Sequence, residues 1–466
     1  MNILVLDVGT SSMRGTLLDE TARTLCTRQV TYQPRFEPRA VEQDPRDWVS
    51  ALETICGQIA EQEPADALAL TAQRSSVIPL DEACAPLTHA IMWQDTRNQA
   101  LCDSLAGQEE RVRQICGTGI NTVFSGGKMA WLRQERPEVY RQAAHLCVIP
   151  DYLIWQLTGN LVTDHTYGSR SMLMDLREGV WSRALLELFG IDEDKLCRLV
   201  PTCSVAGNLT EGFAARTKLK PGIPVITCGG DQQCGALGQG VVAAGSASVN
   251  LGTGAFLIGL TDRVPDHLPK GLLCNAAAIP GAYVLETSVL TCGGALDWLL
   301  SLLGESVNYV GRALTESPRG ASGVQVKPWF QGRSFPRWDS GARATFSGLS
   351  LAVTKADLIR GLLEGILLEI ADCLRAMEQL QQVSTLCISG GLSGTDGICQ
   401  LLADVTGKPV VRTGGNATTQ GAWMSAAVCL GLCKTWREAW AALPAEQTRF
   451  APDPAAQAFY QAYERG

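Results

Sequence analysis

Gly229-Gly230-Asp231-Gln232-Gln233 follows a short apolar run, Pro224 to Thr227, and opens into a small-residue stretch, Cys234 to Gly240. Glycines between an apolar run and a helix-compatible one predict a strand-to-helix turn, and this turn carries one carboxylate. Two other segments have related character. Asp7-Val8-Gly9-Thr10-Ser11-Ser12-Met13-Arg14 lies between two apolar runs, and so does Leu251-Gly252-Thr253-Gly254-Ala255-Phe256. Backbone N–H groups in such turns, flanked by Thr and Ser hydroxyls, make anion nests, and a carboxylate alongside can hold the Mg²⁺ that accompanies nucleotide phosphates. Each segment alone also reads as an ordinary turn or helix cap. The recurrence of the Gly-Thr hairpin shifts the balance toward phosphate, with Asp231 placed to accept the proton of an attacking hydroxyl.

Bulk composition narrows the alternatives. A chain of 466 residues exceeds one core and favours two or three domains. Hydrophobic residues at 46% against 18% charged indicate a compact globular protein, and a formal net charge of −8 argues against non-specific nucleic-acid binding. Seventeen cysteines are scattered without CxxC spacing and no leader-like segment opens the sequence, so buried thiols in a reducing cytoplasm are expected. His89, His145, His165 and His267 lack neighbours at ligand spacing. No apolar run reaches the ~20 residues that span a bilayer.

Ile3 to Val8, Arg14 to Leu18 and Leu25 to Tyr32 read as strands. A helix follows, with Asp44 as N-cap, Pro45 at its first position and Trp48, Leu52, Ile55 and Ile59 on one face. Ala67 to Thr71 and Val77 to Leu80 read as strands, and helices are expected around Gln99 to Leu105 and Met129 to Gln134. This alternation predicts α/β layers. The second half repeats the opening: Ala247 to Leu251 and Ala255 to Leu260 flank Gly252-Thr253-Gly254, helices are expected at Thr291 to Leu303 and Lys355 to Gln381, and Leu386 to Ser389 ends in another glycine turn. A duplicated fold with a boundary near Gly238 to Gly240 follows from the pattern, with a ligand in the cleft between the halves.

Gly390-Gly391, followed by Asp396, would let a flat ring lie against backbone, which suits adenine; a flexible loop is the bland alternative. Gln73-Arg74-Ser75 and Trp93-Gln94 end apolar runs and can line a polyol pocket, although such residues are more often packing and surface charge. There is no P-loop, since Gly126-Gly127-Lys128 runs into Met129, and neither a nucleophile elbow nor a dinucleotide fingerprint occurs.

Together these motifs resemble the FGGY family of carbohydrate kinases over nearly the whole chain. The resemblance rests on Asp7-x-Gly9-Thr10 with Arg14, Gln73-Arg74, Ala90-Ile91-x-Trp93-Gln94, Phe124-Ser125-Gly126-x-Lys128, Val162-Thr163-Asp164 and Ser169-Arg170-x-Met172-Leu173. It continues in Gly230-Asp231-Gln232-Gln233, Gly252-Thr253-Gly254-x-Phe256, Pro336-x-Trp338-Asp339 with Ala342-Arg343, and Gly390-Gly391 running on to Ala403-Asp404. It implies two actin-like, RNase H-like domains around a deep cleft: residues 1–240 with the sugar site and the base, residues 241–466 with most of the nucleotide site. By position it implies Asp231 as catalytic base and Asp7 with Asp231 near Mg²⁺. It places Thr10, Ser11, Arg14, Thr253, Gly293, Gly391 and Asp396 around ATP, and Arg74, Ser75, Trp93, Phe124, Asp231, Gln232 and Phe256 around the acceptor. Glycerol kinases carry glutamate where Ser75 stands and tyrosine where Phe124 stands, and xylulokinases carry Met-His at 74–75. Loss of two hydrogen-bonding groups, each worth roughly 1 kcal/mol or more in a desolvated site, favours a larger polyol or ketose over glycerol itself. The expected activity is ATP-dependent phosphorylation of a small polyol or ketose in the cytoplasm, with glycerol phosphorylation and a non-catalytic nucleotide-switched regulator as alternatives. The expected partner is that small molecule, without nucleic acid or membrane, and a homodimer is allowed.

Overall fold

In the computed structural model, which describes residues 1–336, 339, 341–444 and 446–463, the chain builds two large sheets from one recurring unit. In the first, Ile3–Val8 lies antiparallel to Ser12–Leu18 on one side and parallel to Ala67–Ala72 on the other; Pro224–Gly230 then adds in parallel to Ala67–Ala72. In the second, Ser246–Leu251 lies antiparallel to Ala255–Thr261 and parallel to Thr385–Ser389, beyond which Val410–Thr413 adds in parallel. The first sheet has six strands and the second seven. A smaller sheet of Arg35–Phe36, Val41–Gln43, Ala90–Ile91, Val77–Leu80 and His145–Val148 stands beside the first.

Both faces of the first sheet are covered, which is why its central strands are continuously apolar rather than alternating. Leu4, Leu6 and Val8 face the helix Pro45–Ala60, whose Trp48, Leu52, Ile55 and Ile59 are buried against them. That helix starts where its cap dictates, with Asp44 Oδ1 accepting the Arg46 N–H at 3.0 Å. Ile3 and Val5 point the other way, onto Trp423, Ala422 and Ala426 of the helix Ala417–Cys429. Asp7 has the parity of Ile3 and Val5, so strand geometry aims it at that second face. The second core packs the strands around Ser246–Leu251 against the long helix Lys355–Glu378.

The two halves meet where the helix Asp231–Gly238 crosses the helix Ala417–Cys429. The crossing is close because small residues face each other: a Cβ on Gly421 would lie 1.9 Å from the Cys234 carbonyl oxygen, and one on Gly238 2.0 Å from that of Ala417. No side chain fits there. The expected helices form with ends moved by a few residues, at Gln99–Ser104, Ser125–Glu135, Gly293–Leu302 and Lys355–Glu378. No helix among the described residues is long and apolar enough to cross a membrane.

Candidate active site

Asp231 is the first residue of its helix rather than the cap; Gly230 holds the cap position and offers no side chain. The strand leading to it is pinned at its end. Thr71 Oγ1 and the Tyr167 hydroxyl both donate to the Gly229 carbonyl, at 2.8 and 2.9 Å, and the Gly230 N–H donates to Thr166 Oγ1 at 2.9 Å. The carboxylate therefore projects from a rigid junction at a helix N-terminus, where partial positive charge favours an anion. Its Oδ1 accepts the Gln232 N–H at 2.7 Å and lies 3.7 Å from Arg74 Nε. Burial pushes Asp231 above the ordinary carboxylate range, with Arg74 and Arg170 pulling the other way. Its side chain keeps 29% exposure, enough to meet a substrate.

Arg74 ties the side chains around Asp231 together. Its Nη1 donates to Gln233 Oε1 and to Glu286 Oε1, both at 3.1 Å. The glutamine that bonds Arg74 is Gln233; Gln232, expected from the motif to line the acceptor pocket, is half-buried beside it. Ser75 is buried at φ +73°, with its hydroxyl 3.4 Å from the Arg170 carbonyl oxygen. Phe124 is buried beneath the Arg170 guanidinium, whose carbon lies 4.7 Å from the ring centroid. Trp93 is part-exposed and donates its indole N–H to Thr10 Oγ1 at 3.1 Å, joining the expected acceptor pocket to the first Gly-Thr turn. Phe256 is half-exposed and pairs with Ser288, one pleat along the sheet from the Ile258–Glu286 pair and on the same face.

Around the expected nucleotide site the first turn is closed by Gly9 N–H to Ser12 O at 2.9 Å, and Ser11 is exposed at its tip. Arg14 stands opposite Asp7 across the hairpin and donates from Nη2 to Gln29 at 3.1 Å. The second turn is docked on a helix start: Gly252 O accepts the Gly293 N–H at 2.8 Å and Thr253 O the Cys292 N–H at 2.7 Å. Gly390, at φ +90°, seats the third loop on the same strand end, since a Cβ there would sit 2.4 Å from the Leu251 carbonyl oxygen. Gly391 faces open space. Thr253, Gly293 and Gly391 thus converge, while Asp396, largely exposed, pairs with Arg412 at 2.8 Å. Trp338 lies outside the described residues.

Asp7 and Asp231 form an electrostatically strained pair. Burial first, and the like charge of Asp231 second, raise Asp7 to about 7 against a partial offset from Arg14. A buried group of Cys147, Asp151 and Cys197 also brings its ligand atoms within 4.8 Å of one another; the two thiols lie 3.3 Å apart, Asp151 accepts the Val148 N–H at 3.0 Å, and burial lifts Asp151 to about 8.

The sequence motifs assign no role to Arg170, Gln233, Asn275 or Glu286. Glu286 had a signal: it is the one charged residue in the apolar strand Tyr283–Val289, where an unpaired carboxylate would be costly.

Residues 2–238 match the N-terminal domain of the FGGY family of carbohydrate kinases and residues 247–430 its C-terminal domain. Glycerol kinase from Delftia acidovorans is 34% identical over 478 residues, covering 97% of this chain and 94% of the relative. Glycerol kinase from Nocardia farcinica is 31% identical over 459 residues, covering 92% and 90%. Among solved structures, xylulose kinase from Rhodospirillum rubrum superimposes with a TM-score of 0.93 at 25% identity, covering 99% of this chain and 96% of that one. Plasmodium falciparum glycerol kinase with ADP gives 0.92 at 24% identity over 99% and 96%.

Proposed function

This chain belongs to the FGGY family of carbohydrate kinases, ATP-dependent phosphotransferases on the two-domain actin-like fold, and from that premise we propose that Asp231 is the general base for transfer to a hydroxyl of a small polyol or ketose. The observation that carries this reading is the part-exposed Asp231 carboxylate, fixed at a strand-to-helix junction 3.7 Å from Arg74 Nε. Arg74 orients the acceptor, Asp231 takes the hydroxyl proton, and the hydroxyl oxygen attacks the terminal phosphorus of ATP as the bond to ADP breaks. Backbone N–H groups of the Thr10 and Thr253 turns, with Ser11 and Arg14, stabilise charge developing on the phosphoryl oxygens. Gly293, Gly391 and Asp396 border the adenosine. Trp93, Phe124, Gln232 and Phe256 shape the acceptor pocket, and buried Ser75 leaves it room.

Asp7 and Asp231 are suited to a divalent cation, because a shared positive charge would offset the burial and, second to it, the like charge of Asp231 that together raise Asp7 to about 7. An Mg²⁺ ion held by Asp7 and Asp231 would supply positive charge to the phosphoryl transfer. Glycerol itself is the second reading, favoured by the identity of 34% to a glycerol kinase. Mostly buried, unpaired thiols support a reducing cytoplasm. Exposed Trp298, Leu302 and Val307 support a homodimer, decided by light scattering in solution.

The test is a coupled ADP-release assay across glycerol, tetritols, pentitols and ketopentoses, with and without Mg²⁺. Asp231→Asn is expected to keep ATP binding and lose about 10²–10⁴-fold in acceptor-dependent turnover; unchanged turnover refutes the assignment. Phosphorylation of glycerol in preference to every larger acceptor decides for the second reading.

A further inference from the structure

Among the described residues, Glu286 is the one group from the second large sheet that bonds both Arg74 and Arg170. It lies on the strand Tyr283–Val289 and is 8% exposed. Its Oε1 accepts Arg74 Nη1 and Asn275 Nδ2, each at 3.1 Å, and its Oε2 accepts Arg170 Nη1 at 3.3 Å. The arginines lie 212 and 116 residues away in sequence, within the half that supplies Asp231. Burial opposes the Glu286 carboxylate, yet Arg74 and Arg170 outweigh it and hold the group below its ordinary range. Arg170 is in the reverse position, lowered to about 10 by burial and by Arg74, with a buried Nε that has no partner.

Such a triad is a poor way to stabilise a fold. Taking three charges out of water usually costs as much as their attraction returns, and apolar residues of similar volume often serve stability better. What the triad does provide is geometry. Arg74 is gripped by Glu286 and Gln233 through Nη1, which leaves its Nε side toward Asp231. A guanidinium held on one edge presents a fixed fork on the other. Gln233 belongs to the same half as Arg74 and Glu286 to the other, so the Glu286 part of this grip exists only while the halves are together.

We propose that Glu286 is a positioning residue that completes the acceptor pocket from the opposite domain, holding Arg74 for the acceptor when the cleft is closed. The proposal rests on the reading of Arg74 as an acceptor ligand. Both Glu286 carboxylate oxygens are engaged by Arg74, Arg170 and Asn275, so its influence on the acceptor is expected to pass through Arg74 and to leave ATP binding unmoved.

The experiment is steady-state kinetics of Glu286→Gln, Arg74→Gln and the double variant, using the best acceptor from the panel. Glu286→Gln keeps the shape and loses the charge. It is expected to raise the acceptor KM by about 10-fold while the KM for ATP stays within about twofold. In the Glu286→Gln background, Arg74→Gln is expected to cost much less than it does alone, since the two act as one unit. A residue that only supports the fold would lower the active fraction and leave both KM values alone. An acceptor KM unchanged in Glu286→Gln, or single effects that multiply in the double variant, overturns the proposal. Should Glu286→Gln not fold, Asn275→Leu unties Glu286 without removing charge. It is expected to raise the acceptor KM by about 3-fold with the ATP KM unmoved, and an unmoved acceptor KM is again decisive against the proposal. If Arg74→Gln alone leaves the acceptor KM unchanged, the earlier reading of Arg74 fails and this one with it. If Arg74→Gln acts and Glu286→Gln does not, only the present inference falls.

Discussion

Gly421→Ala perturbs the helix crossing by a single methyl group. Its Cβ would stand 1.9 Å from the Cys234 carbonyl oxygen, 2.7 Å from the carbonyl carbon and 3.0 Å from Cα, all backbone atoms that cannot rotate away. Real Cβ contacts essentially never fall below 3.0 Å, so the helices must separate by about 1.1 Å or more. Overpacking of this kind typically costs about 1–3 kcal/mol. For a unit of roughly 200 residues that lowers the melting temperature by about 5 °C. The catalytic cost is expected to be larger, because Asp231 begins the displaced helix and a misplacement of about 1 Å can cost about 10²-fold in rate. Gly235→Ala is the control. It lies on the same helix, its nearest contact would be Thr418 Oγ1 at 3.6 Å, and replacing a helical glycine is worth up to about 1 kcal/mol in its favour. Thermal melts and acceptor-dependent ADP release are measured on both variants. Full turnover and an unchanged melting point in Gly421→Ala would show that the crossing is looser than its geometry implies, and the argument linking it to the base would fail.

Other outcomes are open to direct measurement. Asp357 completes the capping box of the helix Lys355–Glu378, whose cap is Thr354, and accepts from Ser317 Oγ at 2.6 Å, Ser322 Oγ at 2.8 Å and Thr354 Oγ1 at 2.7 Å. Burial opposes its ionisation, but these donors carry it down to about 2. Its folded pKa is depressed, so its contribution is present above about pH 4 and is lost as pH falls through about 2. Asp357→Asn should cost ~2 kcal/mol at pH 7 in urea melts and much less near pH 2. Lys128 is fully buried, donating to the Thr122 and Val123 carbonyls at 2.6 and 2.7 Å, and burial lowers it from 10.5 to about 7. Between those values the unfolded chain holds a proton that the folded chain has released, so stability rises with pH across the window; Lys128→Met should abolish that slope between pH 7 and 10 and, by stranding two carbonyls next to Phe124, weaken acceptor binding. Equal slopes in the two proteins would place the Lys128 amine in water.

The sequence by itself determined what is local. Asp44 and Pro45 start a helix because a carboxylate and a fixed φ solve the problem of unpaired N–H groups within one turn. The repeated hairpins at Gly9-Thr10 and Gly252-Thr253-Gly254, and the Gly229-Gly230-Asp231 junction, were legible because glycine, hydroxyl and carboxylate act there through their own and neighbouring backbone. The duplicated arrangement also followed from order along the chain, with each hairpin leading to a later parallel strand. Tertiary structure alone decided the partners. Glu286 is one charge in an apolar strand until Arg74 and Arg170 arrive from 212 and 116 residues away. Gln233 rather than Gln232 meets Arg74 because a rotation of one residue on a helix, 100° apart, sets which side chain turns inward. Lys128, in a run that reads as a failed phosphate loop, is buried because two carbonyls five and six residues before it curl back to meet its amine. Helix Ala417–Cys429 carries Trp423 into the apolar face of the first sheet, donating its indole N–H to Asp19 O at 3.1 Å across 404 residues. Periodicity says that a helix has a buried face; only the folded chain says which sheet covers it.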